Sequence, residues 1–326
     1  MTKKLCDSPE IYCIEVPLPE NPLRNLNSYV IKRNGASLII DTGFNRDECR
    51  NALWSGLEEL NIDLGRASLY LTHFHSDHTG LVWDFVNRYV PVYTGRVDNE
   101  FYHSYRHGRQ AEMEQRFRDE GFPESVIAEQ STANQGRKYA PRYDYPVIKL
   151  EDGERLPFED LNIVSIHTPG HTPGHTVLYM PEQQFLFSGD HILFDITPNI
   201  GMWAGIADPL ADYISSLKAV KKLDIKATFP AHRGAGADAY QRIDQIIKHH
   251  GRRFEEILGV VAANQGITAY EIAGNITWSA RGLGWKDFPP HQRWFAMSET
   301  LSHLTHLINT DKLISRKEDM VRYYLK

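Results

Sequence analysis

The chain has 326 residues, 41% hydrophobic and 24% charged, an ordinary globular mixture long enough for one large domain and a smaller one. Its formal net charge of −6 argues against a protein that grips a polyanion over its whole surface, while leaving a local basic groove open. No apolar run reaches membrane-spanning length, the start Met1–Cys6 lacks the apolar core of a secretory signal, and Cys6, Cys13 and Cys49 stand singly. A reduced, cytoplasmic protein without a disulfide framework or a cysteine-zinc site is the expectation.

From Ile11 to about Phe187 the pattern is one of short strands with occasional helices. Ser28–Lys32 and Ser37–Asp41 flank Asn34-Gly35, a dipeptide suited to a type I′ hairpin because both residues tolerate positive φ. Ala67–Leu71 reads as a buried strand, Thr79–Arg88 as a helix and Val90–Tyr93 as another strand. Between Arg96 and Tyr143 the strand pattern stops. Glu112–Gly121 and Glu124–Gln135 read as helices, so about 96–143 is an insertion, where substrate contacts tend to gather. Leu161–His167, His175–Met180 and Gln184–Ser188 read as strands, Pro209–Leu223 as a helix and Lys226–Phe229 as a strand. Beyond residue 236 the character turns helical. Phe254–Ala263, a capped helix starting at Thr268-Ala-Tyr-Glu271 and Gln292–Ile308 are expected there, closed by a hairpin of Leu313–Arg316 and Val321–Leu325. The expected division is a catalytic domain over 1–236 and a winged-helix-like module over 237–326.

Histidine is the informative residue type: there are 15, and they cluster. Leu71-Thr-His73-Phe-His75-Ser-Asp77-His78-Thr-Gly80 places an H-x-H-x-D-H pattern directly after a strand. Imidazole and carboxylate are good ligands for zinc and similar divalent ions. His73 and His75 alternate along extended backbone and can face one ion, whereas Asp77 and His78, on the turn into a helix, can face a second. A solvated polar loop is the bland alternative, disfavoured by the apolar strand before it. Three further stretches each follow an apolar strand: Ile166-His167-Thr-Pro-Gly-His171-Thr-Pro-Gly-His175-Thr176, Phe187-Ser-Gly-Asp190-His191 and Phe229-Pro-Ala-His232-Arg233.

The order and spacing of these four motifs resemble the metallo-β-lactamase superfamily over roughly Ile11 to Gly236. The resemblance implies an α/β fold, an αββα sandwich, here with the C-terminal helical, winged-helix-like module appended. It implies one ion held by His73, His75 and His171, a second by Asp77, His78 and His232, and Asp190 bridging them. Asp41, in Ile39-Ile40-Asp41-Thr42-Gly43, resembles the family's supporting aspartate, which orients a ligand imidazole. His171 is preferred to His175 because the family's ligand follows the first Thr-Pro-Gly; His175 then supports the site from behind. His167 is expected to end a strand, His191 to be a neighbour only, and His249 and His250 to lie on an exposed helix.

Two divalent ions, zinc by default with iron or manganese as alternatives, can share a water, lower its pKa and present a bridging hydroxide to a carbonyl or phosphoryl centre. Asp77 and Asp190 are the candidate catalytic proton carriers. A glutamate would stand at His75 in the flavodiiron branch, so that oxidoreductase reading is disfavoured. The favoured substrate is a small thioester, lactone or ester, similar to the hydroxyacylglutathione hydrolase and lactonase branches, although the C-terminal module departs from the former. The alternatives are a single-strand RNA endonuclease or phosphodiesterase, a mononuclear iron persulfide dioxygenase, and a binding protein with a vestigial site. Residues 237–326 carry 12 Lys+Arg against 10 Asp+Glu, too even for a clear nucleic-acid reader, so nucleic acid is not favoured and a packing or homodimer role is. No membrane partner is expected. Substrate candidates in the insertion are Tyr102, His103, Tyr105, Arg106, His107 and Arg109. Phe194, Ile196 and Trp203, after Asp190, are candidates for an apolar wall.

Overall fold

The computed structural model describes residues 2–326 except 106, 107, 109, 237 and 279–283. Seven strands form the first sheet in chain order: β1 (Thr2–Asp7), β2 (Glu10–Pro17), β3 (Asn25–Arg33), β4 (Ala36–Ile40), β5 (Ala67–Leu71), β6 (Val92–Gly95) and β7 (Ile148–Leu150). The first four run antiparallel and the pairs from β4 to β7 are parallel. The second sheet has the order β12-β11-β10-β9-β8, with β8 (Arg155–Leu156), β9 (Ile163–His167), β10 (Thr176–Met180), β11 (Phe185–Gly189) and β12 (Ala227–Pro230).

Alternation along the strands explains the layering, since successive side chains point to opposite faces. In β4, Leu38 and Ile40 face the second sheet and meet Leu178, Met180, Phe187 and Phe229, whereas Ile39 faces the outer helices. The helix Asp47–Glu59 covers the outer face of the first sheet through Cys49, Leu53 and Leu57. Pro209–Val220 covers that of the second, helped by Ile243 and Ile246. The result is the expected αββα sandwich. The β3–β4 hairpin closes through Asn34 (φ 51°) and Gly35 (φ 80°), with Arg33 opposite Ala36, as a two-residue type I′ loop requires.

Some boundaries differ from expectation. In place of one helix over Thr79–Arg88 there are two short ones, Ser76–Thr79 and Val82–Val86, the first of which carries Asp77 and His78. Beyond the sandwich, a 25-residue helix spans Ala239–Ala263, whereas the sequence pattern isolates only its last ten residues. Its N-cap is Asp238, whose carboxylate accepts from Gln241 N. His250, expected to be exposed, is fully buried and pairs through Nδ1 with His303 Nε2 at 3.1 Å, because this helix packs on Pro290–Asn309. The closing hairpin is β13 (Leu313–Lys317) with β14 (Val321–Leu325). No helix among the described residues is long and apolar enough to cross a membrane.

The insertion forms helices Arg96–Ser104, Gln110–Asp119, Glu124–Ala133 and Gln135–Lys138. It does not stand apart. Phe117, Phe122, Val126 and Ile127 share one core with Ile257, Val261, Met297, Leu301, Leu304 and Tyr323 of the C-terminal region. At its edge the Glu120 carboxylate, fully buried, accepts from Arg116 Nε at 2.7 Å and from Tyr323 Oη at 2.9 Å. Glu120→Ala strands the Tyr323 hydroxyl, a loss of about 2–3 kcal/mol, since an unsatisfied buried polar group costs its desolvation. Urea unfolding measures this; a change within the scatter of surface substitutions would contradict it.

Candidate metal centre

The seven residues come from four loops at one edge of the sandwich. His73 and His75 leave β5, Asp77 and His78 occupy the first helical turn after it, His171 lies between β9 and β10, Asp190 follows β11 and His232 follows β12. Around one point, His75 Nδ1 lies 3.0 Å from both His73 Nε2 and His171 Nε2. Nitrogens bonded at ~2.0–2.1 Å to one tetrahedral ion stand roughly 3.3 Å apart, so this trio has the right spacing. Around a second point, His232 Nε2 lies 3.4 Å from Asp77 Oδ2, and His78 Nε2 lies 3.8 Å from the same oxygen. Asp190 faces both: Oδ2 is 3.4 Å from His171 Nε2, and Oδ1 is 3.2 Å from His232 Nε2 and 3.7 Å from His78 Nε2.

The chemistry of this donor set fits metal ions. His78 Nε2, His232 Nε2 and Asp190 Oδ1 are buried, close to one another and misaligned for hydrogen bonding. Buried polar atoms without partners are costly unless something else satisfies them. Burial drives His73, His75 and His171 toward the neutral imidazole that a metal requires, His75 to about 3. Burial opposes charge on His78 and His232 too and is the largest single influence on each. The surrounding carboxylates together outweigh it, Asp41 with Asp77 and Asp190 at His78 and Asp190 with Asp77 at His232, so both are raised. Burial likewise penalises the carboxylates, yet His78 and His232 hold Asp77 at about 2, and His232 and His78 hold Asp190 well below the usual range. Both acids stay ionised.

Behind the donors stands a set of orienting bonds. Asp41 accepts from Thr72 N at 2.9 Å, from Thr72 Oγ1 at 2.8 Å and meets His78 Nδ1 at 2.8 Å. His232 Nδ1 meets Asn25 O at 2.7 Å and His171 Nδ1 meets Asn199 O at 2.9 Å, which leaves each Nε2 directed inward. His175 turns its ring away from the trio. Its Nε2 accepts from Asp190 N at 3.1 Å and its Nδ1 meets Thr168 Oγ1 at 2.9 Å, so it steadies Asp190 rather than offering a metal-facing nitrogen.

Thr72, Asp98, Asn25 and Asn199 are absent from the sequence candidates. Asp98, pushed up to about 7 by burial, accepts from Phe74 N at 2.6 Å and Gly174 N at 3.0 Å and so ties the His73–His75 turn to the His171 loop. A Cβ on Gly174 would sit 2.0 Å from Asp98 N, which explains the glycine in the second Thr-Pro-Gly. The repeat of that tripeptide is the only signal for this closeness. Asn25 and Asn199 act through backbone carbonyls, which no side-chain pattern announces.

Among the substrate candidates, Trp203 lies over the site. Its ring is 6.0 Å from His75, 5.3 Å from Phe74, 5.7 Å from Phe101 and 5.6 Å from Tyr105. Tyr102 stacks on Phe74 at 5.7 Å. His103 pairs with Asp144 at 3.2 Å. Phe194 packs with the helix Pro209–Val220 and beside Gly236, and Ile196 lends its carbonyl to Arg242 at 2.7 Å. Arg106, His107 and Arg109 lie outside the described residues.

Comparison with known proteins identifies the family. The family model of the metallo-beta-lactamase superfamily matches residues 22–232. The chain is 24% identical over 269 residues to the Beta-lactamase-like protein 2 homolog of Caenorhabditis elegans, covering 79% of this chain and 74% of that one. It is 24% identical over 240 residues to an atrochrysone carboxyl ACP thioesterase of Aspergillus fumigatus, covering 74% of this chain and 45% of the thioesterase's length. A metallo-beta-lactamase family protein from Thermus thermophilus superposes with a TM-score of 0.82 at 28% identity, covering 97% of this chain and 98% of that one. A beta-lactamase domain protein from Burkholderia ambifaria shares the fold with a TM-score of 0.85 at 22% identity, over 100% of this chain and 94% of that one. With a family match spanning most of the chain and a cluster of buried imidazoles and carboxylates fit for divalent ions, the chain belongs to the metallo-beta-lactamase superfamily and is a metal-dependent hydrolase.

Proposed function

We propose that the chain is a binuclear hydrolase of a small acyl substrate, a thioester, lactone or ester. One ion is held by His73, His75 and His171, a second by Asp77, His78 and His232, with Asp190 shared. The observation that carries the two-ion reading is Asp190, whose two oxygens face different imidazole sets at 3.4 Å and 3.2 Å. Zinc suits this nitrogen-rich donor set, and iron and manganese suit it next. Bound there, such a pair supplies an acidified water and polarises the substrate oxygen.

The chain's residues do the rest. Asp77 and Asp190, both ionised, are the groups able to take the proton of the attacking water and deliver it to the leaving oxygen or sulfur. Trp203, Phe74, Phe101 and Tyr105 form an aromatic wall beside His75, which favours an apolar acyl group over a polyanion. The thioesterase named among the relatives supports the acyl class.

The test is a panel applied to the metal-loaded chain: thioesters, lactones, esters, phosphodiesters and single-stranded RNA, with oxygen uptake on a persulfide. Hydrolysis confined to the acyl substrates is the expected result. RNA cleavage that disappears in Asp77→Ala would replace this reading with a nuclease, and persulfide-dependent oxygen uptake with one iron per chain would replace both. A paired substitution checks the ligand assignment. His171→Gln should remove one ion per chain, whereas His175→Gln should keep both and weaken binding by about tenfold through Asp190. Elemental analysis reads the first and a chelator competition the second; the reverse pattern would exchange the two histidines.

A further inference from the structure

We infer that Glu299, on the C-terminal helix Pro290–Asn309, is a positioning residue for the metal centre: it fixes Asn199, whose carbonyl orients the His171 ring. The inference rests on the two-ion reading above.

Three contacts make the connection. Asn199 Nδ2 donates to Glu299 Oε2 at 2.8 Å and to Phe295 O at 3.3 Å. The carbonyl of the same Asn199 meets His171 Nδ1 at 2.9 Å. His171 thus donates from Nδ1, and its Nε2 is left to face Asp190 and His75. The next residues bind the same helix and the same loop. Met202 N donates to Ser298 Oγ at 2.9 Å and to Ser298 O at 3.2 Å, and Trp203 Nε1 donates to the His171 carbonyl at 3.2 Å.

The segment from Asn199 to Trp203 is therefore held on one side by the C-terminal helix and holds His171 on the other. Glu299 is buried, and a carboxylate in such a place is costly unless its bonds serve the fold. Here the bond it makes ends, two links later, at a metal-facing imidazole. This gives the C-terminal helices a part in the site although none of the seven metal-facing residues lies on them.

A purely structural role for Glu299 predicts something different, and zinc titration separates the two. Metal-stripped wild type, Glu299→Ala, Glu299→Gln and Leu304→Ala are each titrated with Zn²⁺ against a chromophoric chelator, below their thermal transitions. Leu304 is buried in the same helix and is not part of the connection. Glu299→Ala should weaken one of the two zinc equivalents by about 10–100-fold and leave the other within about threefold. Glu299→Gln keeps an oxygen for Asn199 Nδ2 and should restore binding. Leu304→Ala should lower the Tm without moving either affinity. Binding by Glu299→Ala like that of wild type, or an equal loss in Leu304→Ala, overturns the inference. A wild-type chain that takes up no zinc overturns the reading of the site itself; two equivalents in wild type with Glu299→Ala unchanged overturn only the role of Glu299.

Discussion

Asp190→Ala should lose metal from both positions and lower hydrolysis by about 10³-fold or more, some 4 kcal/mol of barrier. No other residue of the cluster faces both sets of imidazoles, with Oδ2 at 3.4 Å from His171 and Oδ1 at 3.2 Å from His232. Its removal also takes away the negative charge that most strongly opposes the neutral form of His232. The loss of a donor at each position outweighs that relief, because an ion held by fewer protein ligands exchanges readily with solvent. Elemental analysis of the purified variant, beside kcat on the best acyl substrate, reads both effects. Full occupancy at both positions would remove Asp190 from its shared place.

Asp41→Ala should be the most damaging change among residues that touch neither ion. Asp41 adopts a left-handed backbone (φ 60°) at the end of β4 and its carboxylate binds Thr72 N, Thr72 Oγ1 and His78 Nδ1 within 2.9 Å. Thr72 immediately precedes His73, so one carboxylate orients ligands on both sides of the cluster. Alanine leaves a backbone N–H and an imidazole nitrogen unsatisfied in a buried place, which costs about 2–4 kcal/mol of stability. Metal affinity should fall by about 10–100-fold, as it does when an orienting partner is lost. Urea unfolding of the metal-free chain separates the first effect from the second, which a zinc titration reads. A variant as stable as wild type with unaltered zinc affinity would contradict the role given to Asp41.

Much of this site was legible in the sequence because it lies on strand ends. Where apolar runs such as Ala67–Leu71 and Phe185–Gly189 stop, the next side chains must emerge at the sheet edge, so a histidine there is already placed. The hairpin at Asn34-Gly35 was legible for a different local reason, its tolerance of positive φ. What escaped depends on contacts between distant segments. The helix Ala239–Ala263 was half hidden by His249-His250-Gly251-Arg252-Arg253, a polar run that reads as exposed, although His250 turns inward onto His303 of Pro290–Asn309 and Arg253 onto Thr277 and Trp278. The core shared by Phe117 and Phe122 with Leu301 and Tyr323 joins two stretches far apart in the chain, and no pattern in either names the other. The link from Glu299 to His171 was invisible for the same reason, since one of its two steps runs through a backbone carbonyl.

The central claim, that two cations share Asp190 between opposed sets of imidazoles, is tested most directly by counting metal in the intact chain. Equilibration with Zn²⁺, removal of excess and elemental analysis should give two equivalents per chain in wild type and one in His171→Gln. A wild-type chain that retains no zinc, iron or manganese would contradict the account.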